Sequence, residues 1–183
     1  MKKAAIMSLL LLLPTVLLIA AGGEPLNYVL PGAVDPVKLL PPPPAANSEE
    51  TRAELELLLR EQVARTQDSS DRAKASASLN MQVFQGVMGS WFTPKDLPAV
   101  AQLMTKVEQD SKYFSNSAKD IFKRKRPRFV ETKIKVLVQG QDEPCYPSGH
   151  ATRGMLFALI LSDMAPDKKE VIMSKGWEIG WDR

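Results

Sequence analysis

The sequence is organised around residues 145–150, a segment that holds the only histidine and the only cysteine of the chain. Its proline cannot occupy the interior of a helix, and a mostly apolar run follows over residues 151–161. This pattern predicts a helix whose N-terminus holds Ser148 and Gly149, with His150 in the first turn. Unpaired backbone N–H groups and the positive end of the helix dipole suit such a position to anion binding.

Each side chain at this helix start has a property that suits anion chemistry. Gly149 lets an anion approach the backbone closely. Ser148 offers a hydroxyl donor, and His150 can move a proton near neutral pH. The alternative interpretation is a serine-capped helix that carries an incidental histidine.

The first 23 residues resemble an export signal rather than a folded segment. Lys2 and Lys3 precede an apolar run over residues 8–21, and small residues follow it. We therefore expect a secretory signal peptide at residues 1–23, with an uncleaved anchor as the alternative. No later run is long and apolar enough to span a membrane, so the mature protein is expected to be periplasmic or secreted.

Removal of Lys2 and Lys3 lowers the formal net charge from +3 to +1, which argues against a general binder of nucleic acids or other polyanions. The remaining 160 or so residues are enough for one domain with its own core. Cys145 has no second cysteine with which to pair in this chain.

The mature chain divides into two predicted parts. Residues 24–46 are rich in proline and are expected to form an extended arm over the domain or a tether to it, and a partner-binding proline motif is the alternative. Residues 47–183 are expected to form an all-α domain of five to seven helices, because apolar residues recur at helical spacing and no β–α alternation is present.

Helix starts and buried faces can be assigned from this spacing. Predicted start signals are Asn47 or Ser48 in a capping box with Glu50, then residues 68–70, Asp96 with Pro98, and Pro166. Predicted buried positions along successive helices are Leu55, Leu58, Leu59, Val63, then Ala73, Ala77, Met81, Phe84, Met88, then Val100, Leu103, Met104, Val107, and finally Val171, Ile172 and Ile179. Residues 130–139 are expected to form a loop with extended pieces.

A basic segment precedes the central histidine. Lys119 and Arg126 are seven residues apart, which predicts that both project from one face of a helix that Pro127 ends. Two cations on one face suit a small dianion such as phosphate. The alternative is a solvated basic face.

Taken together, Lys119, Arg126-Pro127 and the segment Pro147-Ser148-Gly149-His150 resemble the first two motifs of the type-2 phosphatidic acid phosphatase and vanadium haloperoxidase superfamily. Within it, the chain looks most like the class A bacterial non-specific acid phosphatases. Residues 40–44, 93–96 and 176–180 also have counterparts there.

The resemblance implies a helical bundle that hydrolyses phosphate monoesters through a phosphohistidine, with no metal and no cofactor. Matched by motif, Lys119, Arg126, Ser148, Gly149 and Arg183 would bind phosphate, and His150 would protonate the leaving alcohol. Arg183 lies where the arginine of the third motif falls, and Asp182 replaces its usual serine.

The nucleophilic histidine and the aspartate that orients it should follow Arg183, so we expect a chain that is truncated at its C-terminus and is inactive as given. The bundle is then incomplete there. The alternatives are a non-catalytic phosphate-binding protein and a non-functional fragment. The expected partners are a small phosphomonoester or inorganic phosphate and a second copy of the chain in a homo-oligomer, with no nucleic acid.

Overall fold

A computed structural model describes residues 26–140 and 144–183. This part of the chain is all-α, as predicted, and contains no strand. Its helices are α1 (Pro36–Leu39), α2 (Glu49–Ala64), α3 (Gln67–Ala75), α4 (Gln85–Met88), α5 (Pro98–Phe122), α6 (Gly149–Met164) and α7 (Lys169–Trp181). Short 3₁₀ turns lie at Met81–Phe84, Pro127–Phe129 and Pro166–Lys168. None of the described helices is long and apolar enough to cross a membrane.

Helices α6 and α7 form an antiparallel hairpin whose crossing depends on small residues. A Cβ atom built on Gly154 would lie 2.8 Å from Cγ2 of Ile179, and one on Gly176 would lie 2.7 Å from Cβ of Ala158. A Cβ on Gly180 would lie 3.2 Å from Cβ of Ala151. Because the hairpin is antiparallel and this tightly packed, the end of α7 returns to the start of α6.

The core lies where this hairpin meets α5 and the segment before it. Its fully buried side chains are Phe84, Phe92, Phe157, Leu161, Ile172 and Ile179. Met104 and Val107 of α5 are buried in the same cluster, and Val100 and Leu103 pack against it, as predicted. Val171 was predicted to be buried but is 50% exposed.

Residues 73–88 were predicted to form one helix, and that prediction is wrong, although Ala73, Met81, Phe84 and Met88 are buried. Helix α3 ends at Ala75 and the chain re-enters helical structure at Met81. Polar side chains bond locally in between: Asn80 Oδ1 accepts from the N–H of Gln82 at 2.8 Å. Such local bonds compete with the helical ladder. The start of α3 also differs, since Thr66 and Ser69 form its capping box.

Ser48 caps helix α2, as predicted, and its side chain accepts from the N–H of Thr51. The third helical position is therefore Thr51 and not Glu50, so the predicted capping box with Glu50 is wrong. The predicted buried face of α2 is also wrong, because Leu58 is 36% exposed and Val63 is 86% exposed. The helix is instead joined by polar contacts to the loop after α5. Its Gln62 side chain donates to the carbonyl of Lys133 at 3.1 Å.

Helix α5 runs unbroken through the small residues 115–118. The hydroxyl of Ser117 donates to the carbonyl of Phe114 at 2.8 Å, so the serine is accommodated inside the helix. Pro98 lies in the first turn, as predicted. The predicted cap, Asp96, instead accepts from the hydroxyl of Thr93 at 2.6 Å.

The described part of the proline-rich segment is hydrogen-bonded to the helical domain along its length. Asp110 of α5 accepts from the N–H groups of Asn27 and Tyr28 at 2.8 Å each. Farther along, the Tyr146 hydroxyl donates to the carbonyl of Pro41 at 2.8 Å. The predicted signal peptide, residues 1–23, lies outside the described residues, and the division of the chain at residues 23 and 46 stays a prediction.

Candidate active site

The N-terminus of α6 forms where the sequence predicts it. Ser148 is the cap: its Oγ accepts from the N–H of Ala151 at 3.3 Å, and its carbonyl accepts from the N–H of Thr152 at 3.0 Å. The N–H groups of Gly149 and His150 precede these and belong to the set that no helical carbonyl can reach. A Cβ built on Gly149 would meet nothing within 4 Å, so the backbone here is open to a ligand.

His150 points from this helix start toward the segment after α3. Its Nε2 lies 3.1 Å from the carbonyl oxygen of Ala77. Burial lowers the pKa of His150, the Ala77 carbonyl opposes that effect, and the positive charges of Arg183, Arg153 and Lys119 lower the pKa further. The imidazole therefore lies among three cations, a setting that favours an anionic ligand.

Arg183 is brought to the same segment from the end of the chain. Its Nη2 donates to the carbonyl of Ala73 at 2.6 Å and to Oγ of Ser76 at 3.2 Å. Burial lowers the pKa of Arg183, and the carboxylate of Asp182 opposes that shift. The guanidinium charge of Arg183 is therefore partly removed from solvent. Arg183 thus contacts Ala73 and Ser76, and His150 contacts Ala77, so residues 73–77 hold both side chains.

Lys119 and Arg126 do not share a helix face as predicted. Lys119 is buried in the last turn of α5, whereas the helix ends at Phe122 and Arg126 lies beyond it. Lys123 ends the helix in a left-handed conformation with a φ of 49°. Sequence spacing was misleading here because the chain turns between the two cations.

The loop after α5 and the segment before α6 are nevertheless joined. The N–H of Cys145 donates to the carbonyl of Arg124 at 2.9 Å, and its Sγ lies 3.2 Å from the carbonyl of Lys125. Burial raises the pKa of the Cys145 thiol, and the charges of Arg124 and Arg126 oppose that shift. These backbone contacts bring the loop that carries Arg126 beside the entry to α6.

Arg153 was not identified from the sequence. It lies one turn after His150 on α6, and its Nη1 is 3.2 Å from Oε1 of Glu108 on α5. Burial lowers the pKa of Arg153 and Glu108 opposes this. The spacing of three residues from His150 was the available signal, since such residues share a helix face.

Together, these groups can bind an anion and transfer a proton. The helix start supplies N–H donors and a hydroxyl, and the surrounding cations supply positive charge. The carbonyl of Ala77 can only accept a hydrogen bond, so the neutral imidazole carries its proton on Nε2 and gains a second proton on Nδ1.

A comparison with known proteins agrees with this chemistry. Residues 107–179 match the model of the PAP2 superfamily. The chain is 30% identical over 161 residues to a non-specific acid phosphatase of Providencia stuartii. This alignment covers 82% of this chain and 64% of that protein. It is 27% identical over 153 residues to the non-specific acid phosphatase of Salmonella typhimurium, covering 79% of this chain and 61% of that one.

The chain thus spans between 61% and 64% of the length of these curated relatives. The matched region holds Lys119, Arg126 and the start of α6, and the longer alignments extend the similarity over most of the chain. Residues 107–179 therefore match a PAP2 superfamily domain, and over most of its length the chain is similar to non-specific acid phosphatases.

Proposed function

We propose that this chain binds the phosphate group of a phosphate monoester at the start of α6, as part of an acid phosphatase. One observation carries the proposal: His150 lies in the first turn of α6 while the charges of Lys119 and Arg183, from α5 and the end of the chain, act on it. The non-specific acid phosphatases to which the chain is similar support the reaction class.

The proposed roles follow from where each group lies. The N–H groups of Gly149 and His150 bind phosphate oxygens, and the Ser148 hydroxyl, which accepts from Ala151, donates its own proton to another. Lys119 and Arg183 neutralise the charge. Arg126 adds a further positive charge from the loop after α5.

His150 is proposed to protonate the leaving alcohol through Nδ1, because Nε2 is engaged with the Ala77 carbonyl. Its lowered pKa makes protonated His150 a stronger acid than an ordinary imidazolium. A bound phosphate supplies negative charge and favours the protonated form, so the acid forms when substrate is bound.

The covalent step needs a second histidine. The 183 residues contain only one, and its Nε2 is hydrogen-bonded within the fold. We therefore propose that these residues bind phosphate without completing a phosphohistidine cycle, which also makes a non-catalytic phosphate-binding protein the second candidate function.

Isothermal titration with inorganic phosphate, beside an assay with p-nitrophenyl phosphate, tests both statements. We expect saturable binding that weakens by about tenfold or more in Arg183→Ala, since hydrogen bonds to charged groups contribute roughly 1.5–3 kcal/mol. Arg60→Ala, which removes an exposed arginine of α2, is the matched control and should bind as the wild type does.

The two measurements separate the candidates. Absence of phosphate binding by a folded chain overturns the proposal. Turnover that disappears in His150→Gln overturns the claim that these residues cannot complete the cycle. A circular dichroism spectrum without helical signal would instead indicate a non-functional fragment.

We also propose export to the periplasm or the medium, because residues 1–23 resemble a secretory signal peptide. N-terminal sequencing of the protein recovered outside the cytoplasm should begin near residue 24. Recovery of intact Met1 would contradict signal cleavage.

A further inference from the structure

The guanidinium of Arg153 carries a buried donor that no group in the described part of the chain uses. Its Nη1 lies 3.2 Å from Oε1 of Glu108 on α5, whereas its Nε is buried and has no hydrogen-bond partner among the described residues. A buried donor that is left unpaired costs stability, and the cost is larger on a charged group. An acceptor supplied by a ligand would remove that cost.

A second unpaired group lies along the same contact of α5 with α6. Oγ of Ser111 is buried and has no hydrogen-bond partner in the part of the chain that the structure describes. Ser111 follows Glu108 by three residues, so the two side chains share a face of α5. The hydroxyl of Ser111 and Nε of Arg153 are thus two donors on neighbouring helices, beside one ion pair.

These two donors adjoin the proposed phosphate site. Arg153 follows His150 by three residues, and side chains at this spacing on a helix have Cβ atoms about 5–6 Å apart. The charge of Arg153 is close enough to lower the pKa of His150. Arg153 contacts α5, whereas Nε2 of His150 contacts Ala77 after α3, so the two side chains engage different parts of the fold. A substrate whose phosphate binds at the start of α6 can therefore present a second group to Arg153.

The charges around Arg153 leave one positive charge unbalanced. Oε1 of Glu108 lies 2.8 Å from Nζ of Lys112 and 3.2 Å from Nη1 of Arg153, so two cations share one carboxylate. A ligand carboxylate carries one negative charge, and the Nε edge of a guanidinium can hold it by two parallel hydrogen bonds. The charge balance thus favours a carboxylate over a second, doubly charged phosphate.

We propose that Arg153 and Ser111 bind a carboxylate of the substrate, so that the site selects short phosphate monoesters whose alcohol portion carries a carboxyl group. Arg153 binds this group through Nε, and Glu108 holds the guanidinium through Nη1. The inference rests on the proposed function, because it takes the phosphate site at the start of α6 as given. It adds a class of substrate and two binding residues.

Binding of three probes to the wild-type chain, measured by isothermal titration at neutral pH, tests the inference: inorganic phosphate, glycerol 3-phosphate and 3-phosphoglycerate. The two esters share a skeleton, and the second carries a carboxylate in place of a terminal hydroxymethyl group. We expect 3-phosphoglycerate to bind about tenfold more tightly than glycerol 3-phosphate, because hydrogen bonds between charged groups are added. It should also shift the Nε–H signal of Arg153 in NMR spectra further than glycerol 3-phosphate does.

Variants assign the preference to these two residues. Arg153→Gln should bring the two esters to about equal affinity. Ser111→Ala should reduce the preference about threefold. It should leave the free energy of unfolding unchanged, because the hydroxyl has no partner to lose within the described fold. Lys169→Gln is the control, since it makes the same change in net charge at an exposed position, at the opposite end of the α6–α7 hairpin from His150.

The outcomes separate this inference from the proposed function. Equal affinity of the wild type for the two esters overturns the inference alone, and so does a preference that persists in a folded Arg153→Gln protein. If Arg153→Gln does not fold, Ser111→Ala decides, and a preference equal to that of the wild type overturns the inference. Failure of the folded wild-type chain to bind inorganic phosphate overturns the proposed function and the inference together.

Discussion

The Nε2 atom of His150 lies 3.1 Å from the carbonyl oxygen of Ala77, which joins the first turn of α6 to the segment after α3. The same segment holds Arg183 through the carbonyl of Ala73 and the hydroxyl of Ser76. Two side chains 33 residues apart in sequence thus depend on one five-residue stretch for their positions.

The first prediction concerns the response of His150 to phosphate. Burial and nearby cations lower the pKa of His150 in the unliganded fold. A phosphate dianion offsets those cations, so its binding should raise this pKa. Because the chain has one histidine, a single C2–H signal reports the titration in proton NMR spectra. Chloride added to the same total concentration of negative charge is the control. An unchanged pKa of His150 under saturating phosphate would contradict the prediction.

The second prediction concerns stability against pH. The folded pKa of His150 lies below the unfolded value of about 6.5, so between the two values the unfolded chain binds more protons. The contribution of His150 to the free energy of unfolding should be complete above pH 6.5 or so and be lost as pH falls through the folded pKa.

Urea unfolding at several pH values between about 5 and 7.5 measures this loss, with His150→Gln as the comparison. The variant should lose less stability than the wild type over that interval, because its remaining titrating groups are the same. Parallel curves for the two proteins would show that His150 is not responsible.

The third prediction concerns the α6–α7 crossing. Gly154→Ala would place a methyl 2.8 Å from Cγ2 of Ile179, and Gly176→Ala would place one 2.7 Å from Cβ of Ala158. Overpacking of this kind should lower the free energy of unfolding by about 2 kcal/mol. Because the crossing places Arg183 beside His150, both variants should also weaken phosphate binding.

Gly86→Ala in α4 is the matched control, since a Cβ there meets nothing within 4 Å. It should leave stability unchanged or raise it by less than about 1 kcal/mol. Thermal unfolding compares the three variants, and a Gly176→Ala protein as stable as Gly86→Ala would show that the crossing tolerates a methyl group.

The fourth prediction concerns the attachment of residues 27–29 to α5. Asp110 is 5% exposed and its carboxylate accepts from Asn27, Tyr28 and Val29. Burial alone would raise the pKa of Asp110, but these N–H donors outweigh it and hold the pKa below its ordinary value. Its contribution to stability is therefore present at neutral pH and is lost as pH falls through that lowered pKa.

Asp110→Ala should lower the free energy of unfolding by about 2 kcal/mol, because hydrogen bonds to a charged group are lost. It should also expose residues 27–46 to limited proteolysis. Asp68→Ala, at an exposed position of α3, is the control. Equal protease resistance of the two variants would mean that Asp110 does not hold the segment.

Local patterns predicted much of this fold. Ser148 and Gly149 start α6 as expected, because a cap residue and the apolar run after it are encoded within a few positions. The core residues Phe84, Met104, Ile172 and Ile179 are buried as predicted, since apolar residues at helical spacing require a partner surface.

The errors have physical causes. Val63 shares the periodicity of a buried face yet is 86% exposed, because α2 is held by polar contacts rather than by the core. Arg126 has helical spacing from Lys119, yet Lys123 turns the chain out of the helix first. Periodicity describes a helix but does not state which surface covers it or which residue ends it.

The sequence by itself determined the all-α class and the serine-capped start of α6, because each depends on residues close together in the chain. Only the tertiary structure decided that Arg183 and His150 meet on one segment, that Arg153 joins the charges around the imidazole, and that Arg126 lies outside the helix of Lys119. Those relationships depend on the close crossing at Gly154 and Gly176 and on how one helix ends, and such long-range packing is not encoded in any local pattern.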